Sequence, residues 1–190
     1  TSAPVVNNVQ PVHVDLGPAG DYVNGIFTSV TVCVPGTSSC QTIDDVLVDA
    51  GSVGLRLLAS VVTLPLAPNT DTAGHVIANC VSFADNSYEW GPMANASVRM
   101  AGEEAASVPL QLIGAPGLPD APSDCSSGGT AADTVSSLGA SGVLGIGVFR
   151  QDCGDACARL LRPPKIYYVC GASDCAVTSV PVANQLQNPV

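Results

Sequence analysis

One acid stands at the end of an apolar run, before a turn of small residues and a second apolar run: Val46-Leu47-Val48-Asp49-Ala50-Gly51-Ser52-Val53-Gly54-Leu55-Arg56-Leu57. A carboxylate in such a setting is costly unless it is hydrogen-bonded or put to use. Ala50, Gly51 and Ser52 suit a stiff turn, and the Ser52 hydroxyl is expected to donate to the outer oxygen of Asp49. The chemistry open to such a residue is proton transfer by a positioned carboxylate. Its plainer role is an acid capping its own turn, since Asx turns are common.

Other chemistry-bearing residues point less far. His13 and His75 lie near no nucleophile pattern and read as surface residues, which argues against a Ser-His-Asp triad. The run Gly142-Val143-Leu144-Gly145-Ile146-Gly147 lacks the Gly-Lys-Ser/Thr of a phosphate loop, and its glycines suggest close backbone approach. Asp152 and Asp155 could meet calcium, but the spacing is not that of an EF-hand. Asp44, Asp45, Glu103 and Glu104 read as solvated, and Asn95-Ala96-Ser97 is a sequon at chance frequency. No cofactor and no metal is called for.

The chain has 190 residues, which suits one domain or one lobe of a larger one. Apolar residues make up 46% and aromatics only 4%, so the core must be built of Val, Leu, Ile and Ala. The net charge is -10, and the lone lysine, Lys165, leaves no basic face for nucleic acid. No apolar run reaches the 18 or so residues of a membrane span. A chain that starts at Thr1 with no visible signal peptide reads as a mature or trimmed fragment. The 8 cysteines fall largely in close pairs, which reads as disulfides in an oxidising compartment, secreted, periplasmic or at the cell surface. The expected pairing is 33–40, 80–125, 153–157 and 170–175. A metal site from Cys153, Cys157, Cys170 and Cys175 is disfavoured, because tight Cys-x2-Cys knuckles are missing.

Period-two alternation and β-branched residues predict strands over 12–16, 26–34, 42–48, 53–58, 76–83, 87–90, 96–100 and 108–113. Asp85-Asn86 predicts a hairpin turn, 114–137 a loop, and 142–147 a glycine-interrupted strand. A cysteine-rich insertion is expected over about 150–178, and a short helix over 183–186. The fold class is therefore all-β.

Two of these segments resemble the N-terminal lobe of pepsin-like aspartic peptidases. Asp49-Ala50-Gly51-Ser52 resembles their Asp-Thr/Ser-Gly-Ser signature, with Ala50 in the Thr/Ser place. Gly142 to Gly147 is similar to the hydrophobic-hydrophobic-Gly strand that crosses behind the catalytic loop. Its distance from Asp49 is similar to that in a pepsin-like lobe and longer than in a retropepsin subunit. Gly91 to Gly102 is similar to the strand pair after the flap, and Pro181 to Val190 resembles the closing helix. More closely, the run Val32-Cys33-Val34-Pro35-Gly36-Thr37 through Cys40, Asp49 and Leu55-Arg56-Leu57 resembles an uncharacterised family of bacterial secreted proteins with a pepsin-like fold.

The resemblance implies that residues 1–190 are a single N-terminal lobe. A second lobe would lie downstream, carrying a second Asp-Ser-Gly-Ser-type motif. It implies an aspartic endopeptidase in which two carboxylates share one proton, because like charges about 3 Å apart cannot both ionise. Asp49 would be one of the two, with Gly51 and Ser52 shaping its turn. Phe83 and Tyr88, which flank the Asp85-Asn86 turn, and the single tryptophan, Trp90, are the candidates to cover or line a peptide cleft; for Trp90 core packing is the default. Ala50 departs from the signature, because it cannot make the hydroxyl bond that ties two lobes together. The alternatives are an inactive secreted or surface protein that binds peptides or proteins on the same fold, and a homodimer joining two copies of Asp49.

Overall fold

The computed structural model describes residues 8–188. Its strands are β1 (His13–Asp15), β2 (Gly25–Cys33), β3 (Cys40–Asp49), β4 (Val53–Leu58), β5 (Val76–Ser82), β6 (Ser87–Met100), β7 (Glu103–Ile113), β8 (Thr130–Ala131), β9 (Gly142–Ile146), β10 (Tyr167–Cys170) and β11 (Cys175–Val177). Three short helices intervene, α1 (Ser123–Ser126), α2 (Val135–Leu138) and α3 (Asp155–Arg159), and a 3-10 turn spans Val182–Asn184. Strands hold 43% of the described residues and helices 9%, so the protein is all-β.

Six strands close into a barrel in the order β2-β3-β9-β4-β7-β6, and β6 returns to β2 through Thr31–Arg99, Val32–Val98 and Cys33–Ser97. Closure leaves these strands without an open edge. Their inward side chains, Val30, Val32, Val46, Leu55, Leu57, Ala96, Leu110 and Leu144 among them, form an aliphatic core. The scarcity of aromatics dictates that composition.

β6 is one strand of 14 residues where two short ones were expected. Its first part pairs with β5 as far as Pro92–Ala78, and from Met93 onward it pairs with β7. Gly91 marks the crossing, because a Cβ there would stand 1.9 Å from the Leu112 carbonyl oxygen. Read locally, Gly91-Pro92 looks like a break. In the fold it is where one strand passes between two sheets.

The cysteine-rich segment also departs from expectation. β10 adds to the edge of β5, pairing Tyr167 with Asn79 and Cys170 with Val76, and Tyr167 is wholly buried. Strands β10 and β11 lie in the segment read as a cysteine-rich insertion, where no strand was expected. The loop expected over 114–137 contains α1, β8 and α2, and α2 is opened by a reciprocal Thr134–Ser137 capping box. The C-terminal helix is the single 3-10 turn Val182–Asn184; residues 189–190 of the proposed closing segment, like residues 1–7, lie outside the described residues.

The four disulfides are Cys33–Cys40, Cys80–Cys125, Cys153–Cys157 and Cys170–Cys175, the pairing expected from the sequence. They fit an oxidising, extracellular-type environment. Among the described residues no helix is long and apolar enough to cross a membrane. Cys80–Cys125 spans 45 residues and ties β5 to α1. Opening a loop of that length is expected to cost about 4 kcal/mol, against about 2 kcal/mol for the short Cys33–Cys40 loop. Urea unfolding of Cys80→Ala/Cys125→Ala beside Cys33→Ala/Cys40→Ala checks the order.

Candidate functional site

β9 runs between β3 and β4, parallel to the first and antiparallel to the second, so the Asp49 turn arches over its end. Asp49 and Gly54 both sit in register with Gly145. That register requires glycine, because a Cβ on Gly145 would lie 2.6 Å from the Val53 nitrogen and 2.8 Å from the Ser52 oxygen. The turn is pinned further by Gly147, whose N–H donates to Ser52 O at 2.8 Å. The glycines of 142–147 therefore serve close packing beneath the acid.

Asp49 is half-buried, and its Oδ1 accepts the Gly51 N–H at 2.8 Å in an Asx turn. The bond expected from Ser52 is absent. The Ser52 Oγ is buried without a hydrogen-bond partner, and the donor that reaches the carboxylate is the Gly51 amide. Ala50 is exposed on the outside of the turn.

Asp49 stands between two hollows, one of about 600 Å³ and one of about 220 Å³. Phe83, in the hairpin loop between β5 and β6, lines both of them with Asp49. Tyr88 and Trp90 are on the other face of β6. They pack on the cluster around Cys80, Cys125 and Tyr168, and Trp90 meets Tyr168 edge-on at 5.3 Å while its indole N–H donates to the Pro119 carbonyl. Of the three aromatics proposed to line a cleft, the structure brings Phe83 alone to Asp49. It adds Tyr22, which lines the smaller hollow, and whose hydroxyl is pushed upward by burial and by the charges of Asp49 and Asp85.

Beneath the turn lies a buried polar cluster that the sequence reading did not assemble. Arg56 is 2% exposed, and its Nη1 donates to Asn79 Oδ1 at 2.6 Å and to Gln111 Oε1 at 2.7 Å. Two carboxylates face it at 3.8 Å each, Glu89 at Nε and Asp152 at Nη2. Asp152 is held by Tyr167 Oη at 2.7 Å and Asn79 Nδ2 at 3.2 Å, so it is a structural residue rather than a calcium ligand. Glu89 is fully buried, and neither of its carboxylate oxygens accepts a hydrogen bond. The signal was present in both cases. Arg56 interrupts a strand that is otherwise wholly apolar, and Glu89 falls on the face of β6 opposite Tyr88 and Trp90. Among the described residues no group of His, Cys, Asp and Glu could hold a metal ion.

Burial pushes the Glu89 carboxyl up to about 7, with attraction to Arg56 working against the shift and the Asp49 charge adding to it. Burial raises Asp152 as well, against the pull of Arg56. A carboxyl raised on folding contributes stability that is full below its ordinary value of 4.5 and is lost as pH rises through about 7. Glu89→Gln is therefore expected to gain on the order of 2–3 kcal/mol over the parent between acid and mildly alkaline pH. Unfolding midpoints of the two proteins across that window measure it.

No curated protein matches the chain. Residues 4–190 match the family described as Protein of unknown function (DUF3443), and the chain belongs to that family.

Proposed function

We propose that this domain is one lobe of a two-lobed, pepsin-like aspartic endopeptidase, secreted or periplasmic, in which Asp49 supplies one of two carboxylates for peptide-bond hydrolysis. The observation that carries the reading is the placement of Asp49. The acid ends β3 on a pinned turn over a glycine-rich strand, at the junction of two hollows that share Phe83. A carboxylate fixed by a backbone N–H and still half-exposed is suited to activate a water. The second carboxylate would come from a partner lobe, downstream or in a second copy, and would hold the shared proton that protonates the substrate carbonyl. The unpartnered Ser52 hydroxyl is a donor left over for a group docking there. An extended peptide would lie across the Asp49 turn between the hollows.

Ala50 favours a second reading, a peptide-binding protein without turnover, because the hydroxyl that joins the lobes in the signature is missing. One experiment separates the two. The full-length protein is incubated with an unfolded protein at about pH 3–7, and binding and product are followed together, with and without pepstatin. Pepstatin-sensitive cleavage supports the peptidase. Saturable binding with no product supports the binder, and neither binding nor product removes both.

A further inference from the structure

We infer that the smaller hollow beside Asp49 binds a positively charged group on an aliphatic stem, such as a lysine or arginine side chain. The hollow has a volume of about 220 Å³, and three carboxylates, Asp49, Asp85 and Glu89, contribute to its lining while no lysine or arginine does. Glu89 is the independent sign of a missing partner. It is fully buried, and both its oxygens lack a hydrogen bond. Arg56 does not answer this need, since it faces Glu89 and Asp152 alike at 3.8 Å and one guanidinium cannot neutralise two buried carboxylates. The cluster is thus one positive charge short whenever both acids are ionised, and a desolvated site strengthens its pull on a cation.

The remaining walls suit a carbon chain. Leu47, Val48, Leu138 and Val143 supply aliphatic surface, and Phe83 and Tyr22 add aromatic rings to the lining. A long cationic side chain buries its methylenes along such a surface while its head meets charge. The oxygens already engaged leave capacity: Asp49 Oδ1 is taken by Gly51, Asp85 Oδ1 by Ser87, and each second oxygen accepts no hydrogen bond from the described residues. A bare metal ion fits less well, because the described acids do not converge as a metal-ligating group.

The inference deepens the peptidase reading only in that the cation would arrive on a peptide; the binding itself does not require cleavage. The probes are therefore n-butylammonium and 1-butanol, which share a stem and differ in charge. They are titrated into the full-length protein at about pH 8, where Glu89 is ionised, with amide resonances followed by NMR. The expected result is saturable binding of n-butylammonium with shifts centred on Tyr22, Phe83 and Leu138, and no saturation by 1-butanol over the same range. Glu89→Gln should weaken the cation by about tenfold. Asp85→Asn, exposed and able to keep the Ser87 contacts through its amide oxygen, guards against a folding artefact and should weaken it about threefold. Equal binding of the two probes, shifts elsewhere, or affinity indifferent to both substitutions overturns the inference. Ammonium binding without any peptidase activity would leave it standing and sink only the peptidase reading.

Discussion

Arg56→Met is expected to destabilise the folded protein by about 3–5 kcal/mol at pH above 7, the largest loss from any single change outside the aliphatic core. Methionine fills similar space, so the effect is electrostatic rather than a cavity. Removing the guanidinium leaves Glu89 and Asp152 buried with no positive charge between them, and strips Asn79 Oδ1 and Gln111 Oε1 of their donor. The cost has a signature. As pH falls, both raised carboxyls take up protons, so the penalty should shrink in acid, and Arg56→Met/Glu89→Gln should be less destabilised than the single variant. Urea unfolding at about pH 5 and pH 8 reads the difference. A penalty that is flat with pH would mean that Arg56 serves by packing alone.

Asp49→Asn is expected to lower peptide cleavage by roughly 10³-fold while leaving the fold in place. The asparagine amide oxygen can accept the same Gly51 N–H, so the turn needs no rearrangement, and Gly145 beneath it is untouched. What disappears is the ionisable oxygen that would take a proton from water. Affinity for a peptide without a basic side chain should change little, since the hollows and Phe83 remain. A structural acid that only capped its turn would give the opposite pattern, with cleavage, where present, preserved and stability altered slightly.

Local pattern carried much of the architecture. β4 falls on the predicted residues, and β2 and β3 fall within a residue or two, because β-branched alternation and a proline-glycine turn closed by Cys33–Cys40 specify a hairpin without help from the rest of the chain. The glycines of 142–147 also announced close packing, and Gly145 shows why. Long-range pairing was not legible. Nothing near Tyr167 says that it will lie against Asn79, and Gly91-Pro92 reads as an ending until β7 is known to pass behind it.

The site divides in the same way. Asp49 stood out because an acid between apolar runs is conspicuous, whereas Glu89 stands between two aromatics with nothing local to mark it. Which face of β6 turns inward is decided by long-range packing: Glu89 is buried against Arg56 of β4, while Tyr88 and Trp90 pack on the opposite cluster around Cys80, Cys125 and Tyr168. Arg56 was visible as a charge in an apolar strand. Its partners come from β5, β6, β7 and the segment after β9, and no spacing rule reaches that far.

The measurement that tests the central claim most directly is the pH dependence of kcat/KM for one peptide with the full-length protein, parent and Asp49→Asn side by side. A bell within about pH 3–7 for the parent, collapsed in Asp49→Asn with the protein still folded, is what a shared-proton carboxylate pair containing Asp49 predicts. Cleavage that Asp49→Asn leaves unchanged, or none from a folded parent with both lobes present, would contradict it.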